Sequence, residues 1–168
     1  PRSANMIKHL NLKIKKRESF RPFAPSVLAE QADLWFETGL ASSPFMNKVA
    51  AVREASASAH HDLQQINNNR SAIAAVTHID ASARIHTVTE QLNPLFYNLI
   101  QHFEQLTEVP LLVNTSFNVR GEPIVCTPDD AWRCFMQTDM DVLVIGCFLL
   151  RKEEQTAMVG VTNKFQPD

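Results

Sequence analysis

The sequence lacks a membrane-spanning apolar run, a secretory leader and an excess of charge. Its longest apolar run, Val142 to Leu150, has the length of a strand, whereas a membrane helix needs about 20 apolar residues. The N-terminus shows no signal-peptide pattern. The formal net charge of -2 argues against general affinity for nucleic acid or anionic membranes. We therefore expect a cytoplasmic protein with no membrane partner, and nucleic acid is not an expected ligand.

Cysteine is also scarce, with Cys126, Cys134 and Cys147 as the only three. Their odd number and the absence of a Cys-x-x-Cys spacing exclude the usual zinc and disulfide patterns. We interpret them as small buried side chains in a reducing compartment. We predict no metal site and no tightly bound metal.

The length of 168 residues fits one domain that can bury roughly two-thirds of its unfolded surface. Because the first residue is Pro1 rather than Met, we expect a processed or excised piece of a longer protein. Helix and strand patterns interleave along the sequence, which favours an α/β or α+β fold with helices on the faces of a sheet. No internal repeat is visible.

Helices are predicted at three places. Ala4 to Arg17 carries apolar residues at helical spacing. Asn93-Pro94 and Thr127-Pro128 are strong helix starts, each with a capping side chain followed by proline at the first helical position. The first of these two helices is predicted to run to about Thr107 and the second to about Thr138. A single apolar stripe is predicted for the helix after Asn93, formed by Leu95, Phe96, Leu99, Ile100, Phe103 and Leu106.

Strand-like segments occupy much of the remaining chain. Because of Pro22 and Pro25, the segment from Phe20 to Leu28 is predicted to be an edge strand or a loop rather than a central strand. Ala32 to Phe36 is predicted to form a short helical turn, and residues 55–70 a surface loop or lid. The other predicted strands are Phe45 to Glu54, Ala75 to Ile79, Ala83 to Thr89, Pro110 to Thr115 and Val142 to Leu150.

A cluster of cations closes the first predicted helix, with Lys15, Lys16, Arg17 and Arg21 within seven residues. A solvated helix end, stabilised by the helix dipole, explains this pattern. An anion site explains it as well, because lysine supplies a point charge for phosphate and arginine a planar bidentate fork. The sequence leaves both interpretations open.

A second polar cluster, from Asn114 to Pro123, directly follows a predicted buried strand. Ligand sites of open α/β folds lie beyond strand ends, and hydroxyl, amide and guanidinium groups suit anions such as phosphate. An ordinary polar turn explains the segment equally well. A P-loop is excluded, because no Gly-x-x-x-x-Gly-Lys is present.

A third candidate is the segment from Thr77 to Arg84. If this segment is a strand, His78 and Asp80 share one face and can form an acid-base or metal pair. A hydrogen-bonded histidine near a strand end is the simpler interpretation, and no third metal ligand lies within reach by spacing.

Two of these segments resemble a known family. The strings from Lys15 to Leu28 (KKRESFRPFAPSVL) and from Asn114 to Ile124 (NTSFNVRGEPI) are similar to the C-terminal domain of the O-carbamoyltransferases of nodulation factors and antibiotics. The segments Thr77 to Arg84 and Cys126 to Ala131 fit the same family in the same order. The resemblance covers about Asn5 to Leu150.

The resemblance implies a YrdC-like twisted mixed sheet flanked by helices, related to threonylcarbamoyl-adenylate synthases. It implies a linking helix over residues 1–16, the C-terminal domain over 17–150 and a tail over 151–168. It also implies formation of carbamoyl-adenylate from carbamoyl phosphate and Mg²⁺-bound ATP. A preceding actin-like domain, absent from this chain, would then transfer the carbamoyl group to a substrate hydroxyl. The isolated chain is expected to perform at most the adenylation step.

The site residues are predicted from the same resemblance. Lys15-Lys16-Arg17 and Ser116-Phe117-Asn118 match a Lys-x-Arg and a Ser-x-Asn motif of the YrdC-like enzymes. The predicted catalytic residues are Lys15, Arg17 and Ser116. The predicted substrate- and nucleotide-binding residues are Arg21, His78, Arg84, Asn114, Asn118 and Arg120.

The family usually has Gly-Thr where this chain has Ala81-Ser82. The hydroxyl is retained, but the missing glycine puts the geometry of the turn before Arg84 in question. The alternative function is a YrdC-like module that binds nucleotide or RNA without catalysis.

Overall fold

A mixed arrangement of helices and strands is present in the computed structural model, which describes residues 1–39, 41–53 and 71–156. The predicted mixed sheet flanked by helices is confirmed. The helices are α1 (Asn5–His9), α2 (Ala32–Trp35), α3 (Pro94–Thr107) and α4 (Pro128–Met136). The strands are β1 (Ala24–Leu28), β2 (Lys48–Ala51), β3 (Ser82–Val88), β4 (Leu111–Asn114), β5 (Val142–Ile145) and β6 (Phe148–Arg151).

The chain forms two compact units. The first contains Pro1–Lys8 and Phe20–Thr115, and the second contains His9–Ser19 together with the chain from Ser116 onward. The second unit is therefore discontinuous in sequence. The predicted division into residues 1–16, 17–150 and 151–168 stays a prediction.

The sheet of the first unit has the strand order β2-β3-β1-β4. Strand β1 runs parallel to β3 and antiparallel to β4, so the prediction of an edge strand or loop was wrong. Pro25 is tolerated because the pairing with β3 begins only at Ser26. The residue without an N–H therefore precedes the parallel ladder, where no bond to β3 is lost.

The two faces of this sheet bury different clusters. Residues such as Val27, Ile85 and Leu111 are fully buried in the larger cluster on one face. On the other face, Leu28 and Val88 pack with Ile100 of α3. Alternate side chains of a strand point to opposite faces. Helix α3 covers one end of this second face, and polar residues occupy the other end.

Helix α3 begins as predicted. The Phe96 N–H donates to Oδ1 of Asn93 at 3.2 Å, and Pro94 occupies the first helical position. The prediction of a single apolar stripe was wrong, because the six residues lie on two faces. Phe96, Ile100 and Phe103 turn inward and are buried or partly buried. The exposed leucines are Leu95, Leu99 and Leu106.

The adjacent pair Leu99 and Ile100 tests this division of α3. Removing one methylene by Ile100→Val should lower the free energy of unfolding by about 1 kcal/mol, since Ile100 is fully buried. Leu99→Val is the matched control and should change it by less than about 0.5 kcal/mol, because Leu99 is 56% exposed. Urea denaturation measures both, and equal losses would contradict the assignment of the buried face.

The second unit contains α4 and the two-stranded sheet of β5 and β6. Thr127 and Asp130 form a reciprocal capping box at the start of α4, so the predicted helix start is confirmed. The predicted single strand over Val142 to Leu150 was wrong. Gly146 has a φ of 57° and lies in the turn between the two antiparallel strands. Ala131, Phe135 and Leu143 form the buried core of this unit.

Two further predictions need correction. Ala75 to Ile79 is not a strand, because Ala74–Val76 forms a 3-10 turn. Local bonds replace a ladder there, among them the Thr77 hydroxyl donating to the Ile73 carbonyl. Cys126 and Cys147 are exposed rather than buried, because both lie in connecting segments.

The helix predicted over Ala4 to Arg17 continues beyond α1 as a π-helical segment, Leu10–Lys15. The helical turn at Ala32–Trp35 and the strands β3 and β4 are confirmed. The loop or lid predicted for residues 55–70 lies outside the described residues. Within the described part of the chain, no helix has both the length and the apolar character needed to cross a membrane.

Candidate functional site

The first cluster of candidate residues forms around Lys15, the last residue of the π-helical segment. Ile7, Asn11 and Lys15 follow one another at intervals of four residues, and all three are buried. A fully buried asparagine and a lysine that is only 4% exposed are unusual on the buried face of a helix unless their polar groups have hydrogen-bond partners. In this protein, oxygen atoms from a distant part of the chain satisfy the lysine.

The Lys15 ammonium lies among four oxygens of Ser116 and Asn118. Its Nζ is 2.7 Å from the Ser116 carbonyl and 2.7 Å from the Asn118 carbonyl. The side-chain contacts are 2.6 Å to Oδ1 of Asn118 and 3.2 Å to Oγ of Ser116. An ammonium has three protons, so the longer Ser116 Oγ contact shares a proton with a shorter one. Lys15 therefore fixes the conformation of this loop.

The loop from Ser116 to Glu122 also holds itself in place. The Ser116 hydroxyl donates to Oδ1 of Asn118 at 2.7 Å, and Nδ2 of Asn118 donates to the Glu122 carbonyl at 2.8 Å. The Arg120 N–H donates to the Lys15 carbonyl at 3.1 Å. Gly121 has a φ of 80°, a conformation that glycine adopts without the strain of a side chain.

Electrostatics distinguish Lys15 from an ordinary surface lysine. Burial lowers the pKa of Lys15 to about 8, and the positive charge of Arg17 acts in the same direction. Arg17 is itself oriented, because its Nε donates to Oδ1 of the buried Asn11 at 2.7 Å. Sequence reasoning missed Asn11, although a polar residue at a buried helical position was a usable signal.

Arg120 projects from the same loop into solvent. Its guanidinium forms an ion pair with Glu18 at 3.6 Å, and both side chains are partly exposed. Exposed pairs of this kind contribute about 0–1 kcal/mol. The pair therefore contributes little to holding the Arg120 side chain in place.

In the first unit, the segment from His78 to Ser82 is a tight turn rather than part of a strand. The His78 N–H donates to the Ser82 carbonyl at 2.7 Å, and the Ala81 N–H donates to the His78 carbonyl at 3.0 Å. The Ser82 hydroxyl donates to Oδ1 of Asp80 at 2.6 Å, and this bond lowers the pKa of Asp80. The same-face strand pairing of His78 and Asp80 was therefore wrong.

The turn contains a left-handed residue at the position where the resemblance implied glycine. Ala81 has a φ of 62°, which costs a residue with a side chain about 1–2 kcal/mol. The absence of glycine had put the geometry of this turn in question, and the structure shows that the turn forms with alanine in the left-handed position.

Ala81→Gly should raise the free energy of unfolding by about 0.5–1 kcal/mol, because the relief of left-handed strain exceeds the added flexibility of the unfolded chain. Ala72→Gly is the control, since Ala72 is exposed and has no positive φ, and it should be neutral or destabilising. Urea denaturation of both variants measures the difference. A loss of stability in Ala81→Gly would contradict a strained turn.

A second cluster of the first unit lies on the polar end of the sheet face that α3 partly covers. Nδ2 of Asn114, at the end of β4, is 3.4 Å from Nδ1 of His86 on β3. Nδ1 of His86 is also 2.8 Å from Oγ of Ser26 on β1. Sequence reasoning predicted Asn114 but missed His86 and Ser26. The signal available was that His86 follows Arg84 by two residues on a strand and so shares its face.

The structure thus groups the predicted residues by unit. In the second unit, Lys15 contacts Ser116 and Asn118 directly and Arg120 through the backbone, while Arg17 is held by Asn11. In the first unit, Arg84 lies close enough to His78 to lower its pKa, although burial has the larger effect. The roles of the predicted residues stay predictions.

Arg21 is exposed and precedes β1. It belongs to the first unit, whereas the other cations of its sequence cluster belong to the second. Across the described ranges, no group of three histidine, cysteine or acidic side chains is placed to hold a metal ion.

Comparison with known proteins identifies a matching family and several relatives. A sequence profile of the family described as "Carbamoyltransferase C-terminus" matches residues 1–152. An uncharacterized protein of Synechocystis sp. is 52% identical over 162 residues, which cover 92% of this chain and 26% of that protein. Nodulation protein NolO of Bradyrhizobium diazoefficiens is 44% identical over 154 residues, 90% of this chain and 26% of the relative.

A more distant relative has a name that states a reaction. The 3'-hydroxymethylcephem-O-carbamoyltransferase of Amycolatopsis lactamdurans is 34% identical over 112 residues, 67% of this chain and 18% of that protein. The chain spans about a quarter of the length of the first two relatives.

Proposed function

The chain belongs to the carbamoyltransferase C-terminus family, and from this membership we propose that it forms carbamoyl-adenylate from carbamoyl phosphate and ATP. Mg²⁺ enters with ATP as part of the substrate. Transfer of the carbamoyl group to a hydroxyl acceptor belongs, in this proposal, to an actin-like domain that precedes the family's C-terminal region. The name of the Amycolatopsis relative, an O-carbamoyltransferase, is consistent with such an acceptor.

The observation that best supports the proposal is the binding of Lys15 by Ser116 and Asn118. These residues are 101 and 103 positions apart from Lys15 in sequence. They belong to the two strings that carried the family resemblance, and the fold joins them by contacts of 2.6–3.2 Å. A buried cation that fixes a polar loop is the kind of preorganised group that phosphoryl chemistry uses.

The reaction can be written in two balanced steps. Water attacks the phosphorus of carbamoyl phosphate, and carbamate leaves as inorganic phosphate forms. A carbamate oxygen then attacks the α-phosphorus of ATP, forming the new O–P bond while the bond to the β-phosphate breaks and pyrophosphate leaves. Negative charge accumulates on phosphoryl oxygens in both steps, so positioning and charge stabilisation supply most of the catalysis.

The proposed roles follow the chemistry of the side chains. Lys15 and Arg17 stabilise phosphoryl charge, with Lys15 acting while it fixes the loop. Ser116 and Asn118 orient the nucleotide and its Mg²⁺. Three arginines supply further contacts for anions, Arg21, Arg84 and Arg120. Asn114 and His78 contact the carbamoyl or adenylate group.

The test is direct detection of the product. The chain is incubated with ¹³C-labelled carbamoyl phosphate, ATP and Mg²⁺, and mass spectrometry detects labelled carbamoyl-adenylate while a coupled assay follows pyrophosphate. We expect pyrophosphate release that requires both substrates. No carbamoyl transfer to a hydroxyl acceptor is expected from this chain alone.

Calorimetry with ATP and Mg²⁺ separates the alternatives. ATP binding without product would overturn catalysis by this chain and favour a nucleotide-binding module. Absence of ATP binding would overturn the proposal for this chain. RNA binding that persists at moderate salt, where non-specific electrostatic binding weakens, would favour the RNA-binding module instead.

A further inference from the structure

Three polar residues occupy neighbouring strands on the open end of one sheet face. His86 of β3 is directly opposite Ser26 of β1 in the parallel register, and Asn114 of β4 is opposite Ala24 in the antiparallel register. Ser26 is fully buried, while His86 and Asn114 are half-buried. The ring of His86 is stacked on Phe96 of α3 with centroids 6.3 Å apart, which limits rotation of the imidazole.

The hydrogen-bond partners of His86 indicate which ring nitrogen carries the proton. Nδ2 of Asn114 carries only protons, so its contact with Nδ1 of His86 at 3.4 Å requires Nδ1 to be the acceptor. The Ser26 hydroxyl then donates to the same Nδ1 at 2.8 Å. With Nδ1 as the acceptor, the neutral ring carries its proton on Nε2. Burial lowers the pKa of His86, which favours this neutral form at pH 7.

The same contacts fix the orientation of the Asn114 amide. Its Nδ2 is 3.4 Å from Nδ1 of His86 and 3.4 Å from the sulfur of Met46, so both N–H bonds have partners. Reversing the amide would place Oδ1 against the thioether sulfur of Met46, which has no proton to donate, and would require the proton of His86 to move to Nδ1. The amide therefore keeps Oδ1 away from His86. Within the described chain, no residue donates a hydrogen bond to this oxygen.

We propose that His86 is a positioning residue, which holds the Asn114 amide so that Oδ1 accepts an N–H of the carbamoyl group. The inference rests on the proposed function and adds a basis for substrate selection. Carbamoyl phosphate and acetyl phosphate share the phosphate and the carbonyl, but one has an NH₂ group where the other has a methyl group. An oriented acceptor forms a hydrogen bond with the N–H of carbamoyl phosphate. Beside the methyl group of acetyl phosphate the same acceptor is left unpaired, and this cost discriminates between the two substrates.

Substrate competition tests the proposal. We expect the wild-type chain to use carbamoyl phosphate at least tenfold better than acetyl phosphate, measured as the ratio of kcat/KM for pyrophosphate release. His86→Leu should reduce this ratio to below threefold, because Asn114 is free to reverse. His86→Gln should restore it, since the glutamine carbonyl can accept the Asn114 N–H in place of Nδ1. A purely structural role would not give restoration of selectivity by glutamine.

The outcomes separate the two levels of the argument. A wild-type chain that uses neither phosphate would overturn the proposed function. A wild-type chain that uses carbamoyl phosphate, with a preference that His86→Leu leaves intact, would overturn only the positioning role. Long-range ¹H–¹⁵N NMR of the wild-type imidazole gives a check that needs neither turnover nor a folded variant. We expect an unprotonated Nδ1 and a protonated Nε2, and the reverse assignment would contradict the proposal.

Discussion

Replacing Lys15 with methionine should reduce pyrophosphate release by at least about 100-fold, the loss typical of removing one preorganised charge-stabilising group. Methionine has a similar length but cannot donate to the carbonyls of Ser116 and Asn118. The loop loses its buried anchor, and the developing phosphoryl charge loses a nearby cation. The measurement is the coupled pyrophosphate assay at pH 7.5 with saturating ATP and carbamoyl phosphate.

Two comparisons make the Lys15→Met result specific. Lys13→Met removes a lysine from the same π-helical segment, but Lys13 is exposed, and its turnover should stay within twofold of wild type. Ser116→Ala removes the longest contact of the ammonium, at 3.2 Å, together with the bond from the hydroxyl to Oδ1 of Asn118, and an intermediate loss of roughly tenfold is expected. Circular dichroism establishes that each variant is folded. A folded Lys15→Met chain with near-normal turnover would contradict the role of Lys15.

The stability of the wild-type chain should rise as the pH increases from about 8 to 10. The pKa of Lys15 is lowered to about 8 in the folded state, whereas that of an unperturbed lysine is about 10.4. Above pH 8 the unfolded chain binds more protons at this site than the folded chain, so the free energy of unfolding increases with pH. The contribution of Lys15 is complete only above its unfolded pKa.

The difference between wild type and Lys15→Met isolates this effect. Lys152, whose pKa burial also lowers, contributes in the same direction but equally to both proteins. The raised pKa of Tyr97, about 12, and the raised pKa of the buried Cys134 thiol act in the opposite direction at the alkaline end, so urea denaturation is best compared between pH 7 and 9. The free energy of unfolding of the wild type should increase relative to that of Lys15→Met across this range, while Lys13→Met should follow the wild type. A constant difference would show that Lys15 titrates normally.

Local sequence was sufficient to predict the helix starts. Asn93-Pro94 and Thr127-Pro128 each contain the capping group and the first helical residue within a few positions. The capping box of Thr127 and Asp130 uses contacts between residues three apart. Such interactions require no knowledge of the rest of the fold, so they can be derived from the sequence alone.

The errors arose where a distant partner decides the structure. Pro25 argues against a central strand, but the register of β1 with β3 begins only at Ser26, and no local pattern encodes that offset. The inward and outward faces of α3 depend likewise on where the sheet lies. Both Leu99 and Ile100 fit an apolar stripe, and only packing against Leu28 and Val88 distinguishes them.

The candidate site shows the same division. Lys15 and Asn118 were predicted because each lies in a string that resembles a family, and their mutual contact depends on the fold. His86 was missed because an isolated histidine in an alternating strand has no distinctive spacing. Its proposed positioning role follows from its contacts with Ser26 and Asn114, which lie on two other strands of the same sheet.

The discontinuous second unit has a consequence for synthesis on the ribosome. Lys15 leaves the exit tunnel long before Ser116 and Asn118, which lie 101 and 103 residues further along. At about 5–20 residues per second, this interval lasts roughly 5–20 s. The strands of the first unit are all translated before Ser116, so that unit can fold first. Lys15 meanwhile remains hydrated, and its burial is among the last events of folding.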